Sequence, residues 1–219
     1  MLDTVLDSSL ARRERHALCD LAMQVGPEAP TLCEGWASAD LVAHLYVREH
    51  KPLAALGLVV PQLSGRTDAA MRAVLHDGYA ALTAKLRDPG RLTPFALPPV
   101  ERAANSLEYV VHHEDLRRGT DGWEPRPDDT WRPADLDLLW GQVALVGKGA
   151  VKSSGVPVQV VRSDTGATHT LRAGDDPVVV TGPVVEIALM LSGRDAVRDV
   201  EVTGPADKVA RFDGAARGM

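Results

Sequence analysis

Aromatic side chains are scarce: Trp, Tyr and Phe together make 4% of the 219 residues. The core must therefore be built mainly from Leu, Val and Ala. Cys19 and Cys33 are the only cysteines. One disulfide is possible, but two such residues in a cytosol-like chain read more simply as free thiols. Uninterrupted apolar runs are absent too. Residues 52–63 are short and end around Pro61, and residues 178–191 contain Gly182, Pro183 and Glu186. Neither matches the roughly 20 apolar residues that span a bilayer. The Met1–Thr4 start lacks the basic and apolar regions of a secretory signal, so a cytoplasmic location is expected. Excess positive charge is missing as well. The formal net charge is −6 and the sequence pI about 5.6, which disfavours nucleic acid and anionic membranes as partners.

What is there is an ordinary globular composition, 45% hydrophobic and 25% charged. The first two-thirds read as helices. Leu10, Leu18, Leu21, Ala22 and Val25 form a stripe that Ser8 or Ser9 can cap and Gly26-Pro27 stops. A second helix starts near Ser38, with Asp40 in its first turn, and breaks at Lys51-Pro52. A third is expected over 67–87, a fourth over 100–118 with Gly119 at its C-terminal cap, and a fifth from Pro133 to Gly149. The period changes after Ser153. Val156, Val158 and Val160 alternate, Asp164-Thr165-Gly166 turns the chain, and 169–172, 178–181 and 200–202 read as strands. Residues 183–192 read as a helix. The expected fold class is α+β, with a helical domain over 1–152 and a small C-terminal α/β domain over 153–219.

The informative histidines lie on the second and fourth helices. Glu108 and His112 are four residues apart, so on a helix they share a face, and Asp115 continues it; by spacing alone the pair also reads as a solvated contact on an exposed helix. His44 lies between Leu41 and Leu45, on the inward side of its helix. Antiparallel packing brings His44 opposite Glu108 and His112. Two imidazoles and a carboxylate on rigid helices, with an open fourth position, suit catalytic zinc. The same set suits ferrous iron. Asp115 can orient a ligand from behind. His113 is turned about 100° from His112 and should miss the site.

Longer patterns carry a resemblance. They are the 26–36 segment ending Cys33-Glu34-Gly35-Trp36, then Asp40-Leu41 and His44-Leu45, and the 105–118 segment with Glu108, His112 and Asp115. Together they resemble actinobacterial metal-binding proteins of the mycothiol-dependent maleylpyruvate isomerase superfamily, within the wider DinB-like bundles. The later Gly182-Pro183 and Gly193-Arg194 pieces resemble that superfamily's small C-terminal domain. The resemblance implies a DinB-like up-down four-helix bundle and a divalent metal, usually zinc, held by His44, Glu108 and His112. It also implies mycothiol as thiol cofactor and a small electrophilic substrate, acted on by isomerisation or S-transfer.

Further residues have two readings each. Arg48, one turn beyond His44, either binds a substrate carboxylate or is a surface residue, and Arg48 and Asp115 are the expected catalytic residues. Cys33 is either a thiol of lowered pKa or an inert one. Trp36 is expected to staple the second helix. Arg194 is similar to C-terminal arginines that reach the site in some relatives. Arg12, Arg13 and Arg15 read as a solvated helix face. Two other functions compete with the thiol enzyme. One is a metal-binding module without catalysis; the other is a hydrolase with Asp115 as base.

Overall fold

The computed structural model describes residues 9–58, 60–88, 90, 93–127 and 130–215. The described chain is an α+β protein of two compact units, 1–124 and 125–219. Unit 1 is helical: α1 (Leu10–Val25), α2 (Ser38–His50), α3 (Pro52–Ala55), α4 (Ser64–Leu75), α5 (Tyr79–Arg87) and α6 (Pro98–Arg117), with short 3-10 turns between. Each start has a local cause. Ser9 accepts a hydrogen bond from Arg12 N at 3.2 Å at the head of α1. Asp40, in the first turn of α2, accepts from Ala37 N at 3.0 Å. Pro98 opens α6, where its missing N–H is not needed.

The expected helix over 67–87 is two helices, α4 and α5. Gly78 adopts φ 92° between them, a left-handed conformation that ends one helix and re-aims the next. Helix α1 packs along α6 and against α5, and α2 packs against α4 and α5. The core between them is aliphatic: Leu18, Ala22, Leu41, Val42, Leu45, Leu82, Leu86 and Leu116 are buried, with Tyr109 the large aromatic among them.

Unit 2 begins with α7 (Pro133–Ala150). It continues with strands β1 (Val158–Arg162), β2 (Thr168–Arg172) and β3 (Val178–Gly182), then α8 (Val184–Leu191), β4 (Glu201–Thr203) and α9 (Ala206–Asp213). The strand order is β2-β1-β3-β4, with β1 and β3 parallel and both outer pairs antiparallel. Alternate residues of β1 and β3 are buried, so one face of the sheet is covered. The unit boundary precedes the change of periodicity at Ser153 because α7 packs against α8 and β2, and so belongs to the second unit. Helix α9, which the sequence pattern did not suggest, packs against β3. No helix among the described residues is long and apolar enough to cross a membrane.

Candidate metal centre

Helices α2 and α6 bring His44, Glu108 and His112 together. His44 Nε2 lies 3.3 Å and His112 Nε2 3.4 Å from the same oxygen, Glu108 Oε1. One ligand atom from each of the three lies within 4.8 Å of the others. Both rings are buried, and their centroids are 5.0 Å apart in an edge-on arrangement. The Trp36 ring stands 5.0 Å from the His44 ring, so Trp36 walls the site as well as packing on the helix start. His44 Nδ1 is buried with no hydrogen-bond partner among the described residues.

Two of the three converging side chains, His112 and Glu108, are held from behind. His112 Nδ1 is 2.8 Å from Asp115 Oδ2, and Asp115 is fully buried. This is the carboxylate–histidine arrangement that sets a ligand's tautomer and aims its other nitrogen at a metal. The Cys33 thiol donates to the same Asp115 oxygen at 3.2 Å. Arg48 Nε lies 3.2 Å from Glu108 Oε1. Its other two nitrogens donate to Asn105 Oδ1 at 2.6 Å and Ala104 O at 2.7 Å. Each of the three nitrogens of Arg48 thus has a partner in the protein, and the Nε contact places Arg48 against Glu108. Asp115 Oδ2 is likewise engaged by both His112 and Cys33.

Behind Arg48 runs a buried polar chain. Asn105 Nδ2 and Tyr109 Oη each donate to Glu49 Oε1 at 2.8 Å. Arg15 grips Glu49 with two bonds of 2.8 Å and reaches Glu101 at 3.2 Å. Arg15 is 0% exposed, so its reading as part of a solvated face is corrected. His113 points to the opposite side of α6, where its Nδ1 meets Glu14 at 2.8 Å. His76 is exposed, and His169 stacks on Trp140 in unit 2. In that unit Arg194 NH1 donates to Ser192 O.

Burial lowers the His44 pKa, favouring the neutral form that a metal needs. For Glu108, burial alone would raise the value. The hydrogen bonds from His112 and His44 and the charge of Arg48 outweigh it and hold the carboxyl well below its ordinary range. Burial likewise opposes charge on His112, but its bonds to Asp115, Cys33 and Glu108 raise it well above its ordinary value. Without a metal, these shifts favour a protonated His112 beside an ionised Glu108.

The 27–37 loop delivers Cys33 and Trp36. Pro30 and Ala37 form an isolated bridge, and Thr31 Oγ1 donates to Trp36 O at 2.9 Å. Leu32 N donates to Asp115 O at 3.0 Å, tying the loop to α6. Gly119 lies against this loop: a Cβ there would sit 2.0 Å from Pro30 O. Gly119 stands at C′, directly after the cap residue Arg118, as expected; its φ is not left-handed, so the glycine there serves close approach. An open cavity of about 540 Å³ lies elsewhere in unit 1, lined by Tyr46, Lys51, Val74 and Lys85 among others, and includes none of the converging ligands.

No family model matches the sequence, and no curated protein does. The structure does find relatives. A crystal structure of the mycothiol-dependent maleylpyruvate isomerase superposes with a TM-score of 0.55, 19% identity and 93% of both chains covered. The chain shares the fold of that isomerase. A crystal structure of a histidine-to-alanine mutant of the same isomerase gives a TM-score of 0.54, 20% identity and the same coverage of both chains. The likeness spans both units, which accounts for an α+β chain with helices first and sheet last.

Proposed function

We propose that the chain is a metal-dependent enzyme that activates a low-molecular-weight thiol of the mycothiol type. The activated thiol then isomerises a small electrophile or is transferred to it. The observation that carries this reading is the convergence of His44 Nε2 and His112 Nε2 on Glu108 Oε1, at 3.3 and 3.4 Å. The donor set fits a divalent ion: two nitrogens and one carboxylate oxygen suit zinc with a position left for an outside ligand. A metal held there lowers the pKa of a coordinated thiol, so that thiolate is available near neutral pH. The isomerase whose fold the chain shares is mycothiol-dependent by its description, which supports a thiol as the outside ligand. The expected DinB-like four-helix arrangement is the finer reading of unit 1.

The protein's own residues have separable tasks in this scheme. His44, Glu108 and His112 hold the ion. Asp115 keeps His112 Nδ1 protonated and Nε2 free. Arg48 fixes the orientation of Glu108. Trp36 covers the His44 side and limits water there. The engagement of Asp115 by His112 and Cys33 argues against the hydrolase reading, which needs that carboxylate as a base.

Stoichiometric cobalt substitution tests the proposal. Titrating mycothiol into the cobalt form should produce a sulfur-to-metal charge-transfer band, and that band should persist in Cys33→Ala. Stoichiometric metal uptake without a band for any added thiol would leave the non-catalytic metal module as the reading.

A further inference from the structure

Behind His112 lies a second set of donor atoms, none of which the thiol-enzyme scheme gives to a metal. Cys33 Sγ is 3.2 Å from Asp115 Oδ2, and His112 Nδ1 is 2.8 Å from that same oxygen. All three donor atoms lie within 4.8 Å of one another. Thiolate, imidazole and carboxylate around one point match the ligand types of zinc and of softer divalent ions. Tetrahedral zinc bonds of about 2.0–2.3 Å imply donor separations of roughly 3.4–3.6 Å. The Cys33–Asp115 and Asp115–His112 separations, 3.2 and 2.8 Å, fall short of these by only a few tenths to about half an ångström.

The cluster is also built and reachable. Asp115 and His112 are buried on α6, while Cys33 is half-buried on a loop open to solvent. That loop is held at Asp115 itself, through Leu32 N on Asp115 O, and is braced internally by Thr31. Cys33 is thereby presented to Asp115 and His112 by backbone contacts, not by the thiol's own weak hydrogen bond.

We propose that Cys33, His112 Nδ1 and Asp115 form a second cation seat for a thiophilic divalent ion, sharing the His112 ring with the inner set. The inner ion takes Nε2 and the outer ion takes Nδ1. An outer ion displaces the protons of the Cys33 thiol and of His112 Nδ1. It also removes the hydrogen bond by which Asp115 orients the ring. The outer seat therefore binds more weakly than the inner one, and its filling disturbs the inner site. Excess thiophilic metal is then an inhibitor acting through His112.

Cadmium provides the probe, because cadmium thiolate absorbs in the ultraviolet and cadmium bound only by nitrogen and oxygen does not. The full-length protein is stripped of metal, loaded with one equivalent of zinc and titrated with cadmium. Metal per chain is counted in parallel. The wild type should develop the sulfur band with a second bound equivalent. Cys33→Ser should lose the band while keeping the first equivalent, and Cys19→Ala should keep both. Asp115→Asn should weaken the second equivalent at least tenfold. His44→Ala should lose the first equivalent yet retain the cadmium band, which separates failure of the inner site from failure of the outer one. A wild type that shows no sulfur band in cadmium excess, or a band that survives in Cys33→Ser, overturns the second seat.

Discussion

Arg48 Nε lies 3.2 Å from Glu108 Oε1, the oxygen on which both histidines converge. The guanidinium and both imidazoles therefore share one carboxylate oxygen. Asn105 and the Ala104 carbonyl hold the other two guanidinium nitrogens. Arg48 and Asn105 should thus be energetically coupled. A double-mutant cycle of Arg48→Met and Asn105→Ala, followed by urea unfolding of the metal-free protein, should give a coupling of about 0.5–3 kcal/mol. Additive effects would show that the contact carries no energy.

His112→Ala and His113→Ala should separate cleanly. The first removes a converging nitrogen and should abolish stoichiometric metal uptake. The second leaves the uptake intact but removes the His113–Glu14 contact of 2.8 Å. That loss should cost about 1–3 kcal/mol of stability. Metal content by mass spectrometry, paired with thermal unfolding, reads both. Equal metal loss in the two variants would contradict the face assignment on α6.

The raised His112 and lowered Glu108 give the metal-free protein a defined pH profile. His112's contribution is fully present below its ordinary value of 6.5 and is lost as the pH rises through its higher folded value. Glu108's contribution is present above its ordinary value of 4.5 and is lost as the pH falls through its lower folded value. Metal affinity runs the other way on the histidine limb, because a bound ion must displace the His112 proton. Affinity should therefore rise with pH, by up to about tenfold per pH unit, until His112 is neutral. Zinc competition titrations between acid and neutral pH check this. A flat affinity would mean that His112 is already neutral in the metal-free protein.

Arg15→Met should be among the most damaging single changes outside the site. It leaves Glu49 buried without its cation and Glu101 with only Arg12 at 3.9 Å, and removing one partner of such a group costs about 3–5 kcal/mol. Glu49 also anchors Asn105 and so the back of Arg48. Denaturant unfolding of the metal-free variant measures the loss, and a change under about 1 kcal/mol would show that the network is not needed for stability.

The two thiols should differ in reactivity. Burial pushes Cys19 up to about 12, so it stays protonated and inaccessible at neutral pH. Cys33 is half-buried on its loop. A thiol reagent should label one cysteine in the native protein, none in native Cys33→Ser, and both once the wild type is unfolded. Rapid labelling of native Cys33→Ser would show that the α1 core opens readily.

Much of this is legible in the chain because it is local. Ser9, Asp40 and Pro133 mark helix starts through bonds within one turn. The Glu108–His112 spacing needs only the helical period to share a face. What periodicity missed depends on distant partners. Arg15 looks like any solvated arginine until Glu49 and Glu101, 34 and 86 residues away, are folded around it. Arg48 reads as open to substrate until Asn105, 57 residues on, takes one of its nitrogens. Residues 67–87 look like one helix because the apolar pattern carries through Gly78. The left-handed φ that divides it leaves no mark on hydrophobic spacing. The grouping of α7 with the sheet follows from which element covers its apolar stripe, and a stripe does not name its neighbour.

Gly119 places a constraint on how the chain can vary. Its missing side chain is the space in which Pro30 O and Thr31 rest. A methyl group there cannot be absorbed by rotating a side chain, since the atoms it meets are backbone. The loop would have to lift as a body, drawing Cys33 from Asp115 and Trp36 from His44. Both cation seats can thus be spoiled from a position that touches neither ion. Glycine at 119 is a requirement of assembly, and its loss would look like a ligand mutation without a ligand having changed.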